Sequence, residues 1–276
     1  MFDALHDGFR WVAASHVTRR VTAALGIQGR FHTLYWRGQH LAHRGTCTQP
    51  VAGTTVTFPA RTPDEFRHCH TLMGERAVLD DLLAHVDAAD VFFDVGAYLG
   101  VYTAFVGATY PTVRTVAFEP DPDKRAGLER VVAANGLTAD VRDCGLSDET
   151  GVVSFATSRG TEGPNVSRVA TGRHDHLIEV PVTTVDHLVG DGTTPPPSVV
   201  KIDVEGAEVG VLRGMRETLT ARPPRVIYCE VHPTLLPSYG DAEGDARSLL
   251  EAAGYAVTRL ATRGDEYFLR ATRPAS

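Results

Sequence analysis

The sequence predicts an α/β protein built on a doubly wound, mostly parallel sheet with an antiparallel C-terminal hairpin at one edge, preceded by an N-terminal helical extension. Three observations predict it. From residue 91 onward, short β-branched runs alternate with helix-like segments, the pattern of βαβ units. One strand-like run leads into Asp94-Val95-Gly96-Ala97-Tyr98-Leu99-Gly100, which puts glycines where a strand turns into a helix. The last two strand-like runs, 255–261 and 266–271, are separated only by Thr262-Arg263-Gly264-Asp265. That link is too short for a helix and makes the pair a hairpin.

Taken in order, the elements fall into two parts. In residues 2–25, Leu5, Phe9 and Val12 and then Val17, Val21 and Leu25 recur at three- to five-residue steps, which predicts amphipathic helix. With Arg10, Arg19 and Arg20 alongside, it packs on the body of the protein or on a second copy in a homodimer; the second reading is a membrane-surface anchor. Val51, Thr54 to Thr57 and Phe58 predict a hairpin or edge strands over 46–60. Residues 1–62 form this extension and 63–276 the cofactor-binding domain. Thr62-Pro63-Asp64-Glu65 starts a helix over 63–86, with Leu79, Leu82, Leu83 and Val86 as its apolar stripe. Strands follow at Val91–Val95, 115–119, 139–143, 199–203 and 225–231, with helices over 98–108, 122–135, 207–219 and 240–253. Residues 147–198 break the alternation and read as an insertion over the carboxyl edge of the sheet, where ligands of such folds bind.

Composition narrows the class. The 276 residues are 43% hydrophobic and 22% charged, an ordinary globular balance that excludes wholesale disorder. Lys+Arg number 27 against 34 Asp+Glu, net −7, which argues against a nucleic-acid partner. Residues 1–45 carry six Arg and two Asp, net +4, leaving −11 for the remainder. Lys124 and Lys201 are the only lysines. Four scattered cysteines without a CxxC pair predict no disulfide framework and a reducing, cytoplasmic setting. No apolar run approaches the roughly 20 residues of a membrane span. Asp3, His6 and Asp7 occupy the place of a secretory signal's basic and apolar regions. The expected location is the cytoplasm, at most the inner face of a membrane.

The chemistry concentrates at two strand ends. Glu119 stands at the tip of the strand in Val116-Ala117-Phe118-Glu119-Pro120, 25 positions after Asp94 (119 − 94), where a carboxylate grips a ribose diol. A strand, a glycine turn, a helix, a second strand and an acid together specify a nucleoside-containing cofactor. The place of the first glycine in G-x-G-x-x-G is taken by Asp94, an anion that repels a pyrophosphate and attracts an ammonium or a sulfonium. The ligand is therefore read as S-adenosyl-L-methionine rather than NAD. Asp143 and Cys144, at the end of the third strand, are candidates for adenine, with a surface turn as the alternative. Glu75 either meets the amino-acid end of the cofactor or forms a surface salt bridge. Asn165, Ser167 and Arg168 in the insertion suit contacts to hydroxyls or an anionic sugar, with a solvated loop as the alternative.

Asp94-Val95-Gly96-Ala97, Phe118-Glu119-Pro120, the run Lys201-Ile202-Asp203-Val204-Glu205-Gly206-Ala207-Glu208 and Glu230-Val231-His232 resemble the FkbM-type S-adenosylmethionine-dependent methyltransferases. The resemblance spans residues 75–235. It implies a class I methyltransferase fold, cofactor contacts at Asp94, Gly96, Ala97, Gly100 and Glu119, and methyl transfer to a hydroxyl, often of a sugar, glycan, glycolipid or secondary metabolite. Tyr98 stands where the family usually has Asn.

Asp203 and Glu205 follow a buried strand, while Glu230 and His232 sit two apart on its neighbour and share a face. An aliphatic hydroxyl needs a base as the new bond forms, and His232 or Glu205 is the expected base, with Glu230 and Asp203 orienting it or the substrate. Glu208 reads as a helix-start acid. A divalent metal on Asp203, Glu230 and His232 is a rival arrangement that is not predicted. His68-Cys69-His70 reads as a polar stretch rather than a metal site, because adjacent helical residues diverge. The expected acceptor is a small molecule or a lipid-linked glycan. Two other functions remain open: an NAD-dependent oxidoreductase, opposed by Asp94, and a non-catalytic nucleoside-binding module, suggested by Tyr98.

Overall fold

The computed structural model describes residues 28–157, 168–169 and 176–273, and the side chains of these except 28–31 and Arg168. The expected helix over 2–25, and Asn165 and Ser167, lie outside the described residues. The chain enters as helix α1 (Gln28–Ala42), then the hairpin β1 (Thr46–Val51) and β2 (Thr54–Pro59), paired antiparallel.

The helix expected over 63–86 starts as its sequence dictates but does not run through. In α2 (Pro63–Thr71), Pro63 fills the first turn and Thr62 Oγ1 accepts from the Glu65 N–H at 3.1 Å, while Glu65 Oε2 accepts from the Arg61 N–H; the two ends cap each other. At Leu72, Met73 and Gly74 the backbone turns left-handed, ending the helix before α3 (Arg76–Leu83). The apolar stripe is correct: Leu79, Leu82, Leu83 and Val86 are all buried.

Next come β3 (Val91–Val95), α4 (Val101–Thr109), β4 (Arg114–Phe118), α5 (Pro122–Ala134) and β5 (Asp140–Arg142). The insertion follows as β6 (Gly145–Leu146), β7 (Gly151–Ala156), β8 (Arg168–Val169), β9 (Leu177–Thr183) and α6 (Val185–Gly190). The alternation resumes with β10 (Val199–Ile202), α7 (Glu208–Arg213), α8 (Arg216–Ala221), β11 (Val226–Val231), α9 (Asp245–Ala252), β12 (Ala256–Arg263) and β13 (Glu266–Thr272). The single helix expected over 207–219 divides at Gly214, where a Cβ would meet the Ser147 carbonyl oxygen at 1.8 Å.

The main sheet has the order β12-β13-β11-β10-β3-β4-β5. Pairs from β11 to β5 are parallel, whereas β13 runs antiparallel to both β11 and β12. The hairpin sits at the edge as expected, with its second strand on the inner side. Alternate strand residues feed two cores, as a sheet covered on both faces requires. Phe92, Val199, Tyr228 and Phe268 belong to one, with α3 and α4; Phe93, Val200, Ile227 and Leu269 belong to the other, with α6, α7 and α9. Val56 and Phe58 of β2 join the first core, and Asn135 at the end of α5 bonds both the N–H and C=O of Thr57. Packing is therefore continuous across residue 62. The insertion forms a second sheet, β6-β9-β7-β8. The four cysteines are free.

Arg225 clamps the amino-terminal edge of the sheet, pairing with buried Asp90, with Asp87 and with the His85 carbonyl. Arg225→Ala leaves the Asp90 carboxylate buried without its cation. It should lower stability by about 2 kcal/mol, read as a lower urea midpoint at unchanged slope.

Candidate active site

The carboxyl ends of β3, β4 and β10 open on a cleft of about 370 Å³. At one end of the cleft, β3 passes into α4 through Gly96 (φ +76°), Tyr98 (φ +52°) and Gly100 (φ +78°). The Gly96 and Ala97 N–H groups both donate to the Phe118 carbonyl at 3.0 Å. A Cβ on Gly96 would lie 1.8 Å from the Asp203 carbonyl oxygen, and one on Gly100 2.3 Å from Leu128 Cδ1. Gly96 is thus demanded by close packing against backbone as well as by dihedral, and Gly100 chiefly by dihedral.

Glu119 lines the cleft. Its Oε2 accepts from the Tyr98 N–H and its Oε1 from the Asp121 N–H, both at 2.8 Å. Burial holds its carboxyl up at about 7 against these two hydrogen bonds. Asp94 is fully buried and does not itself line the cleft; its Oδ2 accepts from Thr103 N–H and Oγ1 at 3.0 and 2.7 Å. Ala97 and Gly100 likewise stand behind the lining. At the far end of β5, Asp143 is exposed, and the wall is made by Gly145 and Leu146 rather than by Asp143 and Cys144.

Lys201, on β10, is buried between carboxylates: its Nζ lies 3.4 Å from Asp203 Oδ2 and 3.6 Å from Asp94 Oδ1, and donates to the Gly96 carbonyl at 3.3 Å. Burial alone would lower this ammonium, but Asp203, Asp94, Glu75 and Glu230 raise it above its ordinary value. Asp203 is held low, Lys201 and His232 outweighing the opposing effect of burial.

The left-handed break after α2 places Glu75 in the cleft. Glu75 accepts from Tyr102 Oη at 3.0 Å and pairs with Arg263 at 3.1 Å, so the salt bridge exists but faces inward. Arg263, from the hairpin, also meets Glu230 at 3.2 Å, Glu266 at 2.9 Å and the Met73 carbonyl at 3.1 Å.

Glu205, at φ +53°, lines the cleft beside Asp203. Burial and the neighbouring Asp203 push its carboxyl up to about 7. His232 lies behind them, 1% exposed, with Nε2 3.5 Å from Glu205 Oε2 and 3.8 Å from Asp203 Oδ1. Its Nδ1 donates to Glu208 Oε1 at 2.5 Å. Burial opposes charge on this ring, yet the Glu208 bond and the surrounding carboxylates raise it to about 10. Glu230 is likewise buried and pushed up to about 9, by desolvation and then by Asp203 and Glu75.

Asp203, Glu205, Glu230 and His232 therefore meet at one edge, joined to Glu75 through Arg263. Arg168 contributes backbone to β8, beside cleft-lining Val169. Sequence reasoning missed four groups. Glu208 is wholly buried and accepts from the Gly206 N–H and His232, which its place on a first helical turn did not show. His68 lines the cleft against the Tyr98 ring, centroids 4.5 Å apart, and burial pushes it down to about 3; its neighbour Cys69 turns into the core. Arg263 and Glu266 come from the returning hairpin, a placement that no local signal carries.

The sheet order, the glycine turn and a cleft walled by strand ends define an α/β enzyme working at the carboxyl edge of its sheet. Residues 94–257 match the methyltransferase FkbM domain, and the chain belongs to that family: it is a methyltransferase. It is 31% identical over 233 residues to the hexuronic acid methyltransferase AglP of Haloferax volcanii, covering 83% of this chain and 89% of that one. It is 28% identical over 196 residues to the 31-O-demethyl-FK506 methyltransferase FkbM of Streptomyces tacrolimicus, covering 61% and 73%. The crystal structure of an FkbM methyltransferase from Methylobacillus flagellatus aligns with a TM-score of 0.48 at 16% identity, over 68% of this chain and 45% of that one. No helix among the described residues is long and apolar enough to cross a membrane.

Gly96→Ala meets both a forbidden dihedral and a backbone carbonyl. It should cost more than about 2 kcal/mol, seen as a Tm drop of at least about 4 °C. Gly53, with φ +81° and nothing within 4 Å of a built Cβ, is the control: Gly53→Ala should cost only about 1 kcal/mol.

Proposed function

We propose that the chain transfers the methyl group of S-adenosyl-L-methionine to a hydroxyl oxygen of a sugar, glycan, glycolipid or related metabolite. One observation carries this reading: a nucleoside-type end at Gly96 and Glu119 shares a single cleft with a carboxylate edge at Asp203 and Glu205. The residues fit the cofactor. Each Glu119 oxygen accepts one backbone N–H and keeps lone-pair capacity for a ribose hydroxyl. Leu146 and Val182 give an apolar wall beside it for adenine, and Glu75 and Asp203 offer carboxylates to an ammonium. Asp94 serves by fixing the turn and Lys201. When bound, the cofactor supplies an electrophilic methyl carbon on a sulfonium.

The remaining task is to align an oxygen with that carbon and take its proton. Of the two expected bases, Glu205 is the one whose side chain faces the cleft; His232 stands behind it and is a positioning residue, fixed by Glu208. Phe155, Val169 and Val180 of the insertion form an apolar wall opposite. Together with the carboxylate edge this suits a sugar, which presents C–H faces and hydroxyl edges. The hexuronic acid named for the Haloferax relative makes uronic-acid-bearing glycans the first acceptors to test. The net charge of +4 over residues 1–45 favours an acceptor that is anionic or held at an anionic cytoplasmic membrane surface.

Labelled methyl from S-adenosylmethionine should appear in such an acceptor. Glu205→Gln should cut kcat about 100- to 10,000-fold while S-adenosylhomocysteine still binds. Absence of both donor binding and transfer in the native enzyme would refute the reading. A pH dependence follows from Glu119. Its raised carboxyl gains a proton as pH falls through about 7, removing charge and one acceptor site. The Kd for S-adenosylhomocysteine should therefore rise roughly 5- to 10-fold from pH 8 to pH 6. Calorimetry of Glu119→Gln should show weaker, pH-independent binding.

A further inference from the structure

We propose that Asp203, Glu205 and His232 form a binding site for one divalent cation, its remaining coordination positions open to the cleft. The inference deepens the function proposed above and assigns the same edge a second capability. The three ligand atoms all lie within 4.8 Å of one another. His232 Nε2 stands 3.5 Å from Glu205 Oε2 and 3.8 Å from Asp203 Oδ1. These separations make no hydrogen bond, and Nε2 has no hydrogen-bond partner among the described residues. They are close to the edge of a coordination polyhedron: ligands each about 2.1 Å from a common ion lie about 3.0–3.4 Å apart.

The orphaned nitrogen belongs to a ring that is 1% exposed, so water does not supply its partner at the protein surface. Its other nitrogen is held by Glu208, itself fully buried and braced by the Gly206 N–H. A buried carboxylate that accepts the Nδ1–H hydrogen bond fixes the plane of the ring and turns Nε2 toward the two carboxylates, where a cation displaces the proton that nitrogen carries. This is how a metal-ligating histidine is oriented. Charge points the same way. Asp203, Glu205, Glu208 and Glu230 crowd this edge against two permanent cations: Arg263 is engaged with Glu75, Glu230 and Glu266, and Lys201 with Asp94 and with Asp203 through Oδ2, which leaves Asp203 Oδ1 toward His232.

A second triad, Glu230, His232 and Glu266, shares the histidine, but Arg263 already occupies both of its carboxylates. The first triad is therefore the site. Three protein ligands with open positions mark an ion that meets substrate, and Asp203 and Glu205 both line the cleft. One imidazole with two carboxylates suits Mn²⁺ or Zn²⁺ better than Ca²⁺ or Mg²⁺. Such an ion would draw the acceptor oxygen to the cleft edge and make it easier to deprotonate.

Calorimetry of chelator-treated full-length protein with MnCl₂ and with ZnCl₂ tests this. One saturable equivalent is expected, lost in His232→Ala, weakened at least about 100-fold in Asp203→Asn, and weakened about 10- to 100-fold in Glu208→Gln. Circular dichroism checks that each variant folds, and Glu205→Gln is a second ligand variant should His232→Ala fail to fold. No stoichiometric binding by wild type overturns the site, as does wild-type affinity in folded Asp203→Asn and Glu205→Gln. S-adenosylhomocysteine binding by the same samples reports separately on the methyl-transfer reading, so the two can fail independently.

Discussion

The structure turns on Lys201. Its ammonium sits inside the sheet, between the Asp94 carboxylate at the end of β3 and that of Asp203 just beyond β10. Lys201 and Asp94 are almost wholly shut off from solvent and Asp203 is only partly exposed, so these charges are tolerable only because they compensate one another; removing one partner of such a buried pair typically costs about 3–5 kcal/mol. The same nitrogen reaches the Gly96 carbonyl and lies over the Tyr102 ring at 5.1 Å. One cation therefore locks together the glycine turn, the first cleft carboxylate and the helix behind them.

Around this lock the protein gathers more acid than it neutralises. Glu75 and Glu230 share Arg263, while Glu205 and Glu208 share His232. Desolvation raises Glu75, Glu205 and Glu230 alike. A fold selected for stability alone would not concentrate carboxylates where each makes the next harder to ionise. Their presence at a cleft wall, with Glu205 in a left-handed backbone, is what a site held ready for a ligand's charge or proton looks like.

Much of this was legible in the chain. The β-branched runs, the glycine turn, Glu119 and the run from Lys201 to Glu208 are local patterns, and each stands where its pattern requires. The break at Leu72, Met73 and Gly74 was not legible, because only Gly74 there favours a left-handed dihedral; packing imposes it on the other two. Its consequence, a Glu75 turned into the cleft, was open between two readings for the same reason. Arg263 was hidden by topology: nothing near Thr262-Arg263-Gly264 says that β13 inserts between β11 and β12 and carries the hairpin turn over the carboxyl edge. Glu208 and His232 are 24 positions apart (232 − 208), and only the parallel pairing of β10 with β11 explains their meeting.

Tyr98 shows how a departure from a family pattern is absorbed. The position lies in the left-handed region, at φ +52°, where Asn is at ease because its short polar side chain tolerates that dihedral. A tyrosine there gives up of order 1 kcal/mol of conformational preference, so its ring must recover it by contact. It packs on His68, and the buried Lys124 ammonium stands over it at 4.8 Å and donates to Oη at 3.4 Å. The functional bond at this position comes from the backbone, the Tyr98 N–H to Glu119, and any residue that holds the dihedral can make it. Tyr98 therefore keeps the backbone bond to Glu119 while its aromatic ring lies tilted against His68 of helix α2, tying that helix to the turn beneath it.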